Sequence, residues 1–337
     1  MHTFAVLGSG GWGTALAGHL ASSSGRVVRL WAAHPETADN LREHRENRRQ
    51  LVGVRIADAV EITADVAAAV RDADCWVSAV PTAYLRRVMG RFAGLASPGL
   101  PVVSLTKGIE HDTFLRPSEI IQELLGAVDV VALSGPSHAE EVARGRPTSL
   151  VAASADASAS KAIQLAFGTP RFRIYTNQDI VGVELSGALK NVIGIAAGIC
   201  DGLHFGDNAK AALLTRGLME MRRFGTAYGA DPETFTGMAA LGDLIATCFS
   251  PHGRNRRVGE ELALGTATLA EILKRPQVAE GVYTAESVVK RLQSTGIETP
   301  IMTGVYQILY EGKSPRDAVQ ELLARTSRGE TTFLNSP

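Results

Sequence analysis

The sequence predicts an α/β protein with a doubly wound, mostly parallel sheet in its N-terminal half and an all-helical C-terminal domain. Three observations predict it. Short apolar runs alternate with helical patterns up to about residue 180. Beyond that point the strand-like runs stop and only long helical patterns follow. The first apolar run also ends in a glycine cluster that opens a helix.

Residues 3–7 (Thr-Phe-Ala-Val-Leu) are apolar throughout, as a strand buried on both faces requires. Residues 14–21 read as a helix and 27–32 as the next strand. Residues 75–80 form a third strand, stopped by Pro81. The runs 102–106, 130–134 and 149–153 supply further strands. Helical patterns then cover 181–200, 208–228, 236–247, 257–264, 283–295, 300–311 and 315–325. With no low-complexity linker and no repeat, the chain divides into an α/β domain, 1–180, and a helical domain, 181–330.

Composition excludes several classes. The 34 basic and 35 acidic residues nearly cancel, which argues against a nucleic-acid or membrane-surface partner. Cys75, Cys200 and Cys248 lie far apart, without metal-ligand spacing, and suit a reducing cytoplasm. The eight histidines are scattered too, so no metal site is expected. The apolar N-terminus lacks a basic n-region and breaks at Gly8 and Gly10, unlike a signal peptide. The segment 181–199 is apolar enough to span a membrane but contains Glu184, Lys190 and Asn191, so it reads as a buried helix of a soluble protein.

The glycine cluster Gly8-Ser9-Gly10-Gly11-Trp12-Gly13 matches G-x-G-x-x-G between a strand and a helix. The first glycine permits the tight turn, the second lets a pyrophosphate approach the backbone, and the third lets helix and strand pack closely. Backbone N–H groups at the helix start then receive phosphates. This is a Rossmann-type turn, and it calls for NAD or NADP. The second strand ends Trp31-Ala32-Ala33-His34-Pro35, without the acid that usually reads the ribose of NAD. His34, Arg48 and Arg49 are candidates to meet a 2′-phosphate instead, or are solvated loop residues.

Other motifs fail. Gly312-Lys313-Ser314 resembles the end of a P-loop, but position 307 is Gln and no strand precedes it. Gly135-Pro136-Ser137 is not a nucleophile elbow. Arg254-Asn255-Arg256-Arg257 is one short basic cluster on a neutral chain, weak evidence for nucleic acid.

Lys190 sits between apolar neighbours in Gly187-Ala188-Leu189-Lys190-Asn191-Val192-Ile193. It either snorkels to the surface, which periodicity favours, or faces a polar cleft, where desolvation would suit it to exchange a proton. Asp243 and Thr247 share a helical face at i, i+4, either to order such a lysine or as a surface Asp with a back-bonded Thr. Lys107 follows a strand at the carboxyl edge where open α/β sheets bind ligands, or is a solvated loop residue.

Taken together the chain resembles the bacterial NAD(P)-dependent sn-glycerol-3-phosphate dehydrogenases. The resemblance runs from the glycine turn with Thr14 through 104–110, 133–141, 184–191, 241–248, 254–257 and 278–282. It implies Lys190 as general acid/base for dihydroxyacetone phosphate, with Lys107 and Asn191 polarising the reacting oxygen and Asp243 and Thr247 ordering the lysine. It implies Arg254 and Asn255 on the substrate phosphate, with Gly135, Ser137 and Gly253 also toward substrate. Gly8, Gly10, Gly11, Trp12, Gly13, His34, Lys107, Ala139, Arg254, Val278 and Glu280 would contact the cofactor. A homodimer and a place in phospholipid-precursor synthesis are implied as well. Three positions depart from the family: Gly253 where Ser is usual, Ala33 where Arg or His is common, and Gln50 where an aromatic is common. Two other readings compete. A 3-hydroxy acid or hydroxyacyl thioester dehydrogenase would rather use a His–Glu base than pair Lys190 with Arg254-Asn255. A non-catalytic NAD(P)H-sensing regulator need not keep Lys190, Asp243 and Lys107 together.

Overall fold

The structure, a computed structural model, describes residues 1–275, 279–292 and 296–326. It divides into two compact units: Met1–Thr106 with Pro117–Ile180, and Lys107–Arg116 with the chain from Val181 onward. Lys107–Arg116, assigned above to the first domain, thus belongs with the helices. Polar side-chain contacts hold it there: Arg116 lies 2.8 Å from Glu184 and His111 Nε2 lies 2.8 Å from Glu286.

The first unit is built on ten strands: β1 (Thr3–Leu7), β2 (Val27–Trp31), β3 (Glu46–Asn47), β4 (Leu51–Arg55), β5 (Val60–Thr63), β6 (Cys75–Ser78), β7 (Pro101–Ser104), β8 (Asp129–Ser134), β9 (Thr148–Ala153) and β10 (Phe172–Asn177). Eight form one sheet in the order β10-β9-β8-β7-β6-β1-β2-β5, while β3 and β4 form a separate hairpin. β1 pairs in parallel with both β2 and β6, so Leu7 stands level with Trp31 and Ser78. From β1 the chain winds outward through β2 to β5, then returns on the other side through β6 and β7. The carboxyl end of β1 is therefore the switch point at which such sheets bind ligands.

Side-chain alternation places the core. Phe4, Val6, Val28 and Leu30 pack with Leu16 and Leu20 of the helix Gly11–Ala21. Trp31 points to the opposite face, where its ring meets Phe92 edge-on at 5.1 Å. Four strands were not anticipated: the hairpin pair β3 and β4, and the sheet strands β5 and β10. In β10 buried Phe172 and Ile174 alternate with exposed Arg173 and Tyr175, and β5 likewise buries only Val60 and Ile62. Each lies at a sheet edge, where half the side chains meet water and the apolar signal thins. β8 and β9 run antiparallel, because the link between them carries only the five-residue helix Ala139–Ala143 and a parallel return calls for a longer crossover.

The second unit is helical. Its centre is the helix Ile180–Gly202, followed by Gly206–Ala227, Asp243–Phe249, Arg254–Leu264, Leu269–Leu273, Glu280–Leu292, Pro300–Tyr310 and Pro315–Ala324. The pattern at 236–247 resolves into a π-turn, Met238–Gly242, leading into the α-helix at Asp243. Residues 293–295 of the pattern 283–295 lie outside the described residues. Ile180–Gly202 is long and apolar enough to cross a membrane, but protein covers it almost all round. Small residues permit that cover. A Cβ at Gly198 would stand 1.7 Å from the carbonyl oxygen of Arg256, and one at Gly259 would stand 1.9 Å from that of Ile195. These two glycines therefore bring the backbone of Arg254–Leu264 against the central helix.

Candidate active site

The glycine turn follows β1 directly. Gly8 has φ +119°, which L side chains rarely adopt, and a Cβ there would lie 2.7 Å from the carbonyl oxygen of Ala79. A Cβ at Gly13 would lie 1.9 Å from the carbonyl oxygen of Gly8. The helix Gly11–Ala21 begins with no side-chain cap and no acid in its first turn, which leaves its positive end open to an anion. One acceptor already marks that place: the N–H of Gly11 donates to Oε1 of Gln50 at 3.2 Å. Gln50 reaches it because Asn47, buried in the hairpin β3–β4, donates to the carbonyl of Ser9 (2.9 Å) and to Thr14 Oγ1 (3.0 Å). A Cβ at Gly11 would touch Ala139 at 3.7 Å, so Ala139 does face the turn, and Trp12 is half-buried against the sheet core. These residues fit a dinucleotide pyrophosphate: donors converge, bulk is absent, and a neutral oxygen occupies an anion's position.

At the tip of β2, His34 is exposed at the start of the helix Pro35–His44 and caps nothing. Arg48 and Arg49 are exposed, and Arg48 lies 3.6 Å from Glu46. A cation not anticipated stands closer: Arg91 donates to the carbonyl of Ala33 at 3.1 Å, with its guanidinium 4.7 Å from the centre of the Trp31 ring. Gly135 has φ +134°, and Ser137 Oγ donates to its carbonyl at 2.8 Å.

In the second unit, four of the candidate side chains converge. Lys190 is buried at 6% exposure, which excludes the surface lysine that periodicity favours. Its Nζ donates to Asp243 Oδ1 at 2.8 Å and to Thr247 Oγ1 at 2.5 Å. An ammonium has three donors, so one remains. Lys107 Nζ donates to the other oxygen, Asp243 Oδ2, at 2.7 Å. One carboxylate thus serves two lysines. Burial pushes Asp243 up, but Lys107 and Lys190 outweigh it and hold the carboxyl below its ordinary value. Burial brings Lys190 down to about 8; Asp243 opposes that shift and Lys107 assists it.

Asn191 departs from its implied role. Its Nδ2 donates to the carbonyls of Lys107 (2.9 Å) and Gly187 (3.1 Å), and its Oδ1 accepts from Asn255 Nδ2 at 2.9 Å. With both N–H groups engaged it has none left for a substrate oxygen; it anchors Lys107 and Asn255 instead. Asn255 in turn accepts from the N–H of Gly281 at 3.0 Å, one residue after Glu280. Val278 lies outside the described residues.

Arg254 is exposed and, among the described residues, has no ion-pair or hydrogen-bond partner, whereas Arg256 pairs with Asp201 and Arg257 with Glu261. The glycine at position 253 also has a local cause: a Cβ there would lie 2.7 Å from the carbonyl oxygen of Thr247. Sequence reasoning missed Asn47, Arg91 and Gly281. The i, i+4 spacing of Gly194, Gly198 and Gly202 was a signal for close helix packing.

Two family models match the chain: the NAD-dependent glycerol-3-phosphate dehydrogenase N-terminus over residues 3–160 and the C-terminus over residues 179–320. A glycerol-3-phosphate dehydrogenase (NAD(P)+) of Salinibacter ruber is 47% identical over 334 residues, 98% of this chain and 97% of its own. One from Chlorobium limicola is 46% identical over 333 residues, 98% of this chain and 99% of its own. The crystal structure of glycerol-3-phosphate dehydrogenase from Coxiella burnetii superposes with a TM-score of 0.91 at 38% identity, covering 96% of this chain and 99% of that one.

Proposed function

The chain belongs to the NAD-dependent glycerol-3-phosphate dehydrogenase family, and from that premise we propose that it interconverts dihydroxyacetone phosphate and sn-glycerol 3-phosphate with NAD(P)H, Lys190 being its proton donor. The observation that carries the reading is the buried Lys190–Asp243–Lys107 cluster with one ammonium N–H left over. Gly8–Gly13 would hold a nicotinamide dinucleotide, which when bound would supply the hydride for reduction of the ketone at C2. Lys190 gives its remaining proton to the carbonyl oxygen, and in reverse takes it from the alcohol. Asp243 and Thr247 aim the Nζ and keep it from rotating. Lys107, tied through its carbonyl to Asn191 and through its Nζ to Asp243, adds positive charge as the oxygen becomes negative. Arg254 and Asn255 hold the phosphate, and Ala139 and Glu280 belong to the cofactor contacts. The test is consumption of reduced cofactor, followed by its near-ultraviolet absorbance, on addition of dihydroxyacetone phosphate. No consumption with either NADH or NADPH sinks the reading.

The cluster predicts a pH profile. Ketone reduction needs Lys190 as ammonium, so kcat/KM for dihydroxyacetone phosphate should hold below about 8 and fall above it. Alcohol oxidation needs the free amine and should rise through the same region. Profiles flat through this range in both directions would separate Lys190 from the proton transfer.

The cofactor preference is NADPH, with NADH also used. β2 ends without the acid that reads a ribose 2′-hydroxyl; Arg91, Arg48 and Arg49 offer cations, and His34 a ring nitrogen, for a 2′-phosphate. One added charge-assisted hydrogen bond, at roughly 1.5–3 kcal/mol, gives about tenfold or more in kcat/KM. A clear preference for NADH at physiological salt overturns this. The proposal includes a homodimer in the cytoplasm; the buried free thiols of Cys75, Cys200 and Cys248 suit a reducing compartment.

A further inference from the structure

Asp201 lies near the end of the helix that carries Lys190. Its two oxygens accept from Lys210 Nζ at 2.7 and 2.8 Å, and Oδ2 also accepts from Arg256 Nη1 at 2.5 Å. Lys210 is buried, and its ammonium stands 4.8 Å from the centre of the Phe249 ring, at the end of the helix that carries Asp243 and Thr247. Arg256 Nε donates to the carbonyl of Ser250 at 3.3 Å, and Nη2 lies 3.3 Å from Glu260. One carboxylate therefore joins the ends of two helices that carry reacting residues to the short loop between Phe249 and Arg254. Lys210 is buried and Asp201 and Arg256 are half-buried, so holding the cluster costs some desolvation, and apolar packing at such a place is often as good for stability. Their directionality is what apolar packing cannot supply.

We infer that Asp201, clamped by Lys210 and Arg256, is a positioning residue for the substrate's phosphate: it fixes the loop Ser250–Gly253 so that Arg254 is presented at a set place relative to Lys190. Arg256 transmits the constraint through Ser250, and the close backbone approach at Gly198 holds Arg256 itself against the helix. This rests on the reading of Arg254 as the phosphate ligand.

The experiment compares Asp201→Asn, Asp201→Glu and Arg254→Ala with the parent enzyme. It measures kcat and KM for dihydroxyacetone phosphate, kcat/KM for unphosphorylated dihydroxyacetone, and KM for reduced cofactor. Asp201→Asn should raise KM for the phosphorylated substrate about tenfold, roughly the weakening of one charge-assisted hydrogen bond to the phosphate. Its kcat should stay within about threefold, with dihydroxyacetone and cofactor values unmoved. Asp201→Glu, which keeps the charge, should recover part of the loss. If Asp201→Asn does not fold, Arg256→Gln cuts the tie to Ser250, leaves Asp201 with Lys210, and is read the same way. Equal loss on both ketones means a merely structural role and overturns the inference, as does an unchanged or lowered KM. If Arg254→Ala discriminates between the ketones and Asp201→Asn does not, only this inference fails. If Arg254→Ala spares the phosphorylated substrate, the phosphate reading fails and carries the inference with it.

Discussion

Lys190→Ala should lose ~10²–10⁴-fold in turnover, the range for removing a general acid/base. That is a barrier increase of about 3–5 kcal/mol. The size follows from the surroundings. Lys190 is buried, so bulk water cannot readily replace it as proton donor, and its Nζ is already aimed by Asp243 and Thr247. Asp243 keeps Lys107 as a partner when Lys190 is removed, so the carboxylate is not left alone and the fold should persist. Lys190→Met, which fills the same volume without charge, separates chemistry from packing and should be as inactive. Lys190→Arg should not rescue, because a guanidinium stays protonated and cannot give up its proton. Cofactor affinity, read by binding titration, should move little, since the glycine turn belongs to the other unit. Near-normal turnover in Lys190→Ala removes the residue from the reaction.

Arg254→Ala should lower kcat/KM for dihydroxyacetone phosphate by roughly 30-fold to several-thousand-fold, the ~2–5 kcal/mol of a charge pair that loses one member. Among the neighbouring arginines only Arg254 lacks a carboxylate among the described residues; Arg257, paired with Glu261, is the internal control and its alanine variant should change little. The guanidinium fork matches phosphate oxygens in pairs, so Arg254→Lys should recover only part of the loss. Holding a remote phosphate also aligns the carbonyl, so part of the deficit should fall on kcat. Dihydroxyacetone is the decisive control: the parent should use it poorly, and Arg254→Ala should be no worse with it. Equal harm to both substrates reassigns Arg254 to the fold or the cofactor.

The contrast between these two residues shows how far the chain could be read unfolded. The glycine turn needed no tertiary information, because its glycines answer to backbone conformation and to the strand and helix on either side of it. The two-part architecture was equally legible, because strand and helix differ in period. The edge strands β5 and β10 were not, since a short, half-exposed strand leaves too few apolar residues to mark it.

Nothing local distinguishes Lys190 from a surface lysine. It is buried, and the groups that take its Nζ, Asp243 and Thr247, stand on the helix Asp243–Phe249, 53 and 57 positions further along the chain. The segment Lys107–Arg116 follows a strand of the first unit in sequence yet packs with the helices, where Lys107 shares Asp243 with Lys190 across 136 positions of chain. The sequence by itself determined which residue types were available and which local turns they form. Tertiary structure alone decided which lysine is desolvated, which carboxylate serves it and which arginine of the 254–257 cluster lacks a carboxylate among the described residues, because burial and charge pairing are set by side chains far apart along the chain.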